Sequence, residues 1–324
     1  MNTVDLVVKN AMHIATVDAQ RREIPGGWIA VDGGRVVALG SSAEPTPAAR
    51  EVIDATDCLV TPGLVNTHHH IYQNLTRAFP PMTDKPLFGW LQSLYPLWRA
   101  IDEEAVHVSA FVGLAELALS GCTTSTDHLY LHPHGAGDLL TAEIEAAREL
   151  GVRFHPTRGS MSLSEKDGGL PPDDVVADDD EIVAHCVMPN HDEVHRLGAA
   201  GIGVAHCPSS NLILASGISP VVDLRAAGVK VGLGVDGSSS ADSASLWLEA
   251  RQAMLLAKLR NGAHAGTARM ALEVATIGGA GCLGREGEIG ELSVDGRITH
   301  PALDEMLSRH ARISRRIQRL DDDR

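Results

Sequence analysis

Hydrophobic and polar positions alternate over short runs in the first sixty residues: DLVVKN, AMHIATVD, GGWIAVDGGRVVALG and EVIDATDCLV, with turn residues between them. A period of two places the apolar side chains on one face of a strand, so the runs predict a small antiparallel β module over residues 1–60. Between WIAV and RVVALG stands Asp32-Gly33-Gly34. It signals a hairpin, because glycine reaches the positive φ angles of a tight turn without steric cost. From Thr61 the texture changes to short apolar runs alternating with stretches of helical periodicity, such as DEEAVHVSAFVGLAELALSG, GDLLTAEIEAARELG, NHDEVHRLGAAG and SASLWLEARQAMLLAKLRNG. Each closes on a glycine suited to a left-handed C-cap, and the alternation predicts repeated βα units around a parallel sheet.

Six strands are expected: Gly63 to Thr67, Cys122 to Asp127, Val152 to Thr157, Ile182 to Cys186, Ile202 to Ala205 and Val229 to Val235. Polar residues stand at most of their C-terminal ends, where the loops of α/β barrels and open α/β sheets converge on one mouth. A closed (β/α)₈ barrel takes eight such strands and typically ~250 residues. Thr61 to Gly284 offers 224 positions. The expectation is therefore an α/β fold derived from the TIM barrel, incomplete at about six βα units over 61–284. The gap falls where the Gly/Pro/Asp-rich loop Lys166 to Asp180 runs into the next strand. In 285–324, IGELSVDG reads as one short strand. The stretch after it sets Leu303, Met306, Leu307, His310, Ile313, Ile317 and Leu320 on one stripe of an amphipathic helix.

Charge narrows the partners. Lys plus Arg number 27 against 42 Asp plus Glu, a net charge of −15, which repels phosphate backbones and anionic lipids. Neither nucleic acid nor a membrane surface is an expected partner, and no apolar run approaches the ~18 residues of a membrane span. The five cysteines are scattered without a CxxC spacing, which suits reduced thiols in the cytoplasm, and MNTVDLVVKN lacks the basic-then-apolar pattern of an export signal. Sixteen histidines against 11 aromatic residues point toward metal or proton chemistry, and their positions decide where.

The strongest chemical signal is Thr67-His68-His69-His70 at the end of the first barrel strand. Alternation turns His68 and His70 together into the mouth and His69 away, a two-histidine metal clamp. Asp236, in KVGLGVDG between Gly234 and Gly237, can complete that site from the last strand, or can serve as an Asx-turn or N-cap for the helix after it. The phrase VAHC occurs twice, at Val183 to Cys186 and Val204 to Cys207. His185 can bind a metal or take a proton from water, whereas His206, followed by CPSSN, suits a hydrogen-bonded role ordering its loop. Cys186 and Cys207 read as small buried residues. His128, His132, His134 and His155 follow the second and third strands and receive no catalytic role. Mixed His and Asp ligands suit zinc, with iron as the alternative. Zinc on three protein ligands lowers the pKa of a coordinated water toward ~7, so the chemistry implied is hydrolytic attack on an sp² carbon.

The segments PGLVNTHHHIYQNLTRAFP, LFGWLQSLYPLW, LALSGCTTSTDHLYLHP, RGSMSLSEKDGGLPPDDVV, AHCVMPN, GVAHCPSSN and GLGVDGSSSADS resemble, in order and wording, the amidohydrolase superfamily. The likeness is to its cytosine/guanine deaminase-like branch, nearest the deaminases of oxidised purines, with hydroxyatrazine-type aminohydrolases next. It implies hydrolytic deamination of an oxidised purine such as 8-oxoguanine, or of a related amino-heterocycle. It implies His68, His70 and Asp236 as metal ligands, with Asp236 also acting on the water. His185 would contact the attacking water, as a base or as a fourth ligand, and Tyr72, Gln73, Trp90 and Arg158 would line the substrate pocket. The chain departs from the family by lacking the fifth-strand histidine and the glutamate three residues after it, a phrase like HLAE that binds metal and shuttles protons. The alternative function is accordingly a relative that binds metal or a partner without turnover. Sheet edges left by missing strands are costly when unpaired, which makes a homo-oligomer covering the incomplete edge the expected assembly.

Overall fold

The computed structural model of the chain describes residues 3–159, 186–294 and 296. The N-terminal runs become strands β1 (Val4–Lys9), β2 (His13–Ala15), β3 (Glu23–Pro25), β4 (Trp28–Asp32), β5 (Arg35–Gly40), β6 (Ala49–Asp54) and β7 (Leu59–Val60). They form two sheets, β5-β4-β1-β6 and β3-β2-β7. The Asp32-Gly33-Gly34 turn joins β4 to β5 with Asp32 opposite Arg35, and Gly33 and Gly34 take φ of 56° and 73°, both positive as such a turn demands. The module is mixed rather than antiparallel. β6 does not follow β5 by a hairpin; the chain crosses to the far edge and runs parallel to β1, as β7 does to β2.

The second half alternates strand and helix. β8 (Leu64–Asn66) is followed by α1 (Leu87–Trp98) and α2 (Glu103–Leu119), then β9 (Cys122–Leu129), α3 (Leu139–Leu150) and β10 (Arg153–Arg158). After the gap come α4 (His191–Ala199), β11 (Gly203–His206), α5 (Pro208–Ile213), α6 (Val221–Ala226), β12 (Lys230–Leu233), α7 (Ser238–Ala241), α8 (Leu246–Asn261), α9 (Ala268–Ala275) and α10 (Ile277–Cys282). The glycine stops act as read: α3 ends on left-handed Gly151 (φ 73°), and Gly121, Gly201 and Gly262 follow α2, α4 and α8 with positive φ.

The strands make one parallel sheet in the order β10-β9-β8-β12-β11. Its first and last strands in sequence, β8 and β12, are neighbours. That adjacency is how a barrel wall closes, and it brings the C-terminal ends of β8, β9 and β12 side by side. Among the described residues β10 and β11 are the two outer strands. The expected strand Ile182 to Cys186 lies outside the described residues except for Cys186. Burial follows the pattern: Leu64, Val204, Val231 and Leu233 of the sheet pack with Leu114, Leu117, Ala250 and Ala253 of α2 and α8 in one core.

Buried Asn66 fastens three strands at once. Its Nδ2 donates to Ser125 Oγ (2.9 Å) on β9, and its Oδ1 accepts from the Val235 N–H (3.0 Å) beyond β12. Asn66→Ala leaves two buried polar groups unmet, and urea unfolding should show a loss of about 2 kcal/mol.

The segment expected as a strand at IGELSVDG is not one over Ile289–Val294. It returns to the N-terminal module through single hydrogen bonds instead, Leu292 N–H to Thr16 O (2.8 Å) and Val36 N–H to Gly296 O (3.0 Å), while Leu292 joins the module's core. The helical stripe from Leu303 to Leu320 lies outside the described residues.

Candidate active site

The first barrel strand ends at Asn66, and the extended chain after it carries the three histidines on alternating sides. The His68 and His70 rings face one another edge to face, with centroids 4.7 Å apart. His69 turns the other way and is fully buried, and burial, opposed by Asp236, lowers its pKa to about 3 and holds it neutral. Asp236 pairs with His69 as a parallel bridge and its N–H donates to the His68 carbonyl (3.1 Å), so the sheet itself delivers the carboxylate to the imidazoles. Its φ of 58° is a left-handed conformation that Asp tolerates and most residues avoid. Asp236 Oδ1 lies 3.5 Å from His68 Nε2 and 3.5 Å from His70 Nε2, while Ser240 Oγ sits 3.5 Å from Oδ2. Asp236 does not cap a helix: Gly237 holds the N-cap position of α7.

A third imidazole joins them. The donor nitrogens of His68, His70 and His128 lie within 4.8 Å of one another. His128 received no role from the sequence, and what betrays it is register. The parallel ladder between β8 and β9 continues past β8, with the His128 N–H donating to the His69 carbonyl (2.8 Å), so the end of β9 stands beside the histidine run. His70 Nδ1 donates to the His128 carbonyl (2.8 Å). That bond selects the tautomer whose Nε2 lone pair faces Asp236 and His68, the usual way a backbone oxygen orients a metal-binding histidine. Burial, then the neighbouring His68, holds His70 well below the ordinary histidine pKa, with Asp236 opposing; burial and His68 hold His128 down to about 4. Neutral imidazoles beside a carboxylate are the donor set of a zinc site. The nearby thiol is not part of it. Burial pushes Cys207 well up, so it stays a protonated, packed group, and all five cysteines are free.

These groups floor a cavity of about 500 Å³. Trp90, Tyr95 and Tyr130 wall it with aromatic surface, Leu87, Leu91, Leu214 and Val187 with aliphatic surface, and Gln73, Ser210 and Asn211 supply polar atoms. Trp90 is fixed by a hydrogen bond from its Nε1 to the Ser239 carbonyl (3.4 Å). Gln73 is 2% exposed, and its Oε1 has no hydrogen-bond partner in the protein. A Cβ on Gly237 would sit 1.6 Å from that oxygen, which explains the glycine after Asp236. Tyr72 is a correction. It does not line the cavity but is fully buried behind it, edge to face with Trp98 (5.2 Å) and Tyr130 (6.0 Å), because the 3₁₀ turn Ile71–Thr76 directs it into the aromatic cluster under α1. Arg158 closes β10, at the same sheet end as the site. His185 lies outside the described residues, two positions before Val187 of the cavity wall. His206 is buried at the end of β11, its carbonyl accepting from the Gly234 N–H (3.0 Å). Of the other mouth histidines, His134 and His155 are exposed, and neither they nor His132 lines the cavity.

The model of the amidohydrolase family matches residues 59–181 and 171–295, most of the chain. The chain belongs to the amidohydrolase family. It is 37% identical over 374 residues to the 8-oxoguanine deaminase of Pseudomonas aeruginosa, covering 88% of this chain and 83% of that protein. It is 32% identical to a 5-methylthioadenosine/S-adenosylhomocysteine deaminase of Moorella thermoacetica, over 82% of this chain and 78% of the relative. Among solved structures, the atrazine chlorohydrolase of Arthrobacter aurescens TC1, complexed with zinc, superposes with a TM-score of 0.83 at 24% identity, covering 90% of this chain and 85% of that one. This amidohydrolase is shorter than its relatives within the matched region. Since 88% of 324 residues is about 285, roughly 90 of the 374 alignment positions face a gap in this chain, and the two family matches meet at 171–181, where the sequence pattern leaves room for missing units. Among the described residues no helix is long and apolar enough to cross a membrane.

Proposed function

We propose that this amidohydrolase is a metal-dependent aminohydrolase that removes an amino group from an oxidised purine such as 8-oxoguanine, or from a related amino-heterocycle. The observation that carries the reading is the convergence of His68, His70, His128 and Asp236 on the floor of an aromatic-walled cavity of about 500 Å³, large enough for a bicyclic base. The 37% identical deaminase supports the substrate class.

A divalent ion held by His68, His70 and Asp236, with His128 alongside, supplies Lewis acidity that lowers the pKa of water toward ~7; the donor set suits zinc, with iron as the alternative. The chain's own groups do the rest. Tyr130, Tyr95 and Trp90 take the ring between apolar surfaces and exclude bulk water. The unpartnered Gln73 Oε1 accepts a ring N–H, and Arg158 donates to the ring's carbonyl edge. Asp236, or His185 from the segment before Val187, takes the proton of the attacking water. The water oxygen bonds to the amine-bearing carbon, the carbon–nitrogen bond breaks, and the proton leaves with ammonia, giving an oxo-heterocycle. The chain acts in the cytoplasm with its thiols reduced, and a second copy covers the outer edge of the sheet at β10 or β11.

The gap favours a second reading, in which a chain without the fifth-strand glutamate binds metal or a partner but does not turn over. Positioned acid/base catalysis is worth ~10²–10⁴ in rate, so the first reading predicts a slow enzyme. Metal analysis followed by ammonia release over a panel of amino-purines and triazines separates the two. One equivalent of metal with ammonia from an oxidised amino-purine is the result expected. Metal without ammonia from any compound supports the second reading, and protein without metal after zinc loading removes both.

A further inference from the structure

Helix α4 carries another pair of imidazoles, outside the cavity and on the solvent side. His191 and His195 are four residues apart, which places them one above the other on the same helical face, and both are exposed. Their Nε2 atoms are 3.2 Å apart, so that without an ion one ring hydrogen-bonds the other, with ring centroids 4.5 Å apart and the rings nearly perpendicular. That separation is the bite of a single ion. Two metal–nitrogen bonds of ~2.0–2.1 Å set their nitrogens ~3.3 Å apart at a tetrahedral centre and ~2.9 Å apart at adjacent corners of a square.

The support beneath the pair is firm. Asn190 and Glu193 form a reciprocal cap, Asn190 N–H to Glu193 Oε2 (2.7 Å) and Glu193 N–H to Asn190 Oδ1 (3.0 Å), and buried Val194, on the adjoining face, packs into the core. The cap engages the Glu193 carboxylate with backbone, while Asp192, next to the pair, is exposed with the two imidazoles.

We propose that His191 and His195 form a surface chelate for a divalent transition ion that prefers nitrogen ligands, copper, nickel or zinc, with water in the remaining positions. An ion there staples the first turn of α4 to the second. It is independent of the ion held in the barrel mouth and of the deamination reading.

The test uses the full chain, first loaded with one equivalent of zinc and then titrated with nickel(II) by calorimetry, with copper(II) examined by electron paramagnetic resonance. The wild type should take up one further ion in the micromolar range, with two nitrogen couplings in the copper spectrum. His191→Ala and His195→Ala should each weaken that event at least ~10-fold, because one imidazole remains. Both positions are exposed and alanine favours helix, so each variant should keep the wild-type circular dichroism spectrum and its barrel-mouth zinc. No second binding event, or one of unchanged strength in the double variant, would overturn the proposal.

Discussion

His70→Ala should reduce bound zinc from one equivalent to a small fraction of one and reduce ammonia release to the background of the assay. His70 holds its place by a hydrogen bond from Nδ1 to the His128 carbonyl, and its Nε2 faces both Asp236 and His68, so the substitution removes one donor and loosens the contact that holds His128 beside the others. A catalytic site left with two of its donors loses affinity by orders of magnitude, and the rate falls with occupancy. His69→Ala is the matched control. Its ring is buried on the other side and touches no cavity, so it should keep its metal and lose stability through the void it leaves. Metal content by atomic emission, with thermal unfolding beside it, distinguishes a lost ligand from a lost fold.

The second large effect is expected at a pair of carboxyls behind the site. Asp127, immediately before His128, and Glu143 of α3 are both fully buried. Asp127 Oδ1 accepts from the Ile71 N–H (2.7 Å), and the Asp127 and Glu143 carboxyl groups lie close enough to shift one another. Two carboxylates buried side by side cannot both stay ionised at little cost, so the pair keeps a proton. Burial, then Asp127, pushes Glu143 well above its ordinary 4.5, and burial raises Asp127 to about 6. The folded chain therefore holds a proton that the unfolded chain has released, so this pair's contribution to stability falls as pH rises above the unfolded values near 4. Glu143→Gln keeps a donor toward Asp127 and cannot ionise. Its stability relative to the wild type should rise steadily from pH 5 to pH 8, measured by urea unfolding. Glu143→Ala leaves a void and an unmet buried carboxyl, at a cost of about 3 kcal/mol. A Glu143→Gln variant that loses ground as pH rises would reverse the sign of this argument.

What the sequence disclosed and what it hid follow one physical line. Features set by neighbours along the chain were legible: the DGG hairpin, the alternation that turns His68 and His70 together, the glycine stops after the helices, and the placing of Asp236 at the end of the last strand. Features set by pairing between distant segments were not. His128 looks like any histidine at the end of a strand until the register of β9 against β8 is known, and the parallel course of β6 depends on a crossover that composition does not reveal. The resemblance places Tyr72 in the pocket, whereas the 3₁₀ turn that carries it sets its ring among Trp98 and Tyr130. The carboxyl pair shows the same limit from the other side: Glu143 falls on a helix that reads as ordinary and amphipathic, and only packing against β9 reveals that it is buried.

The central claim is that two imidazoles of one strand and a carboxylate of another meet at a single ion. X-ray absorption at the zinc edge of the loaded protein reads that first shell directly. The account predicts nitrogen and oxygen scatterers alone at ~2.0–2.1 Å with the outer-shell pattern of at least two imidazoles, and loss of imidazole scattering in His70→Ala. Sulfur at ~2.3 Å, or a spectrum that His70→Ala leaves unchanged, would contradict it.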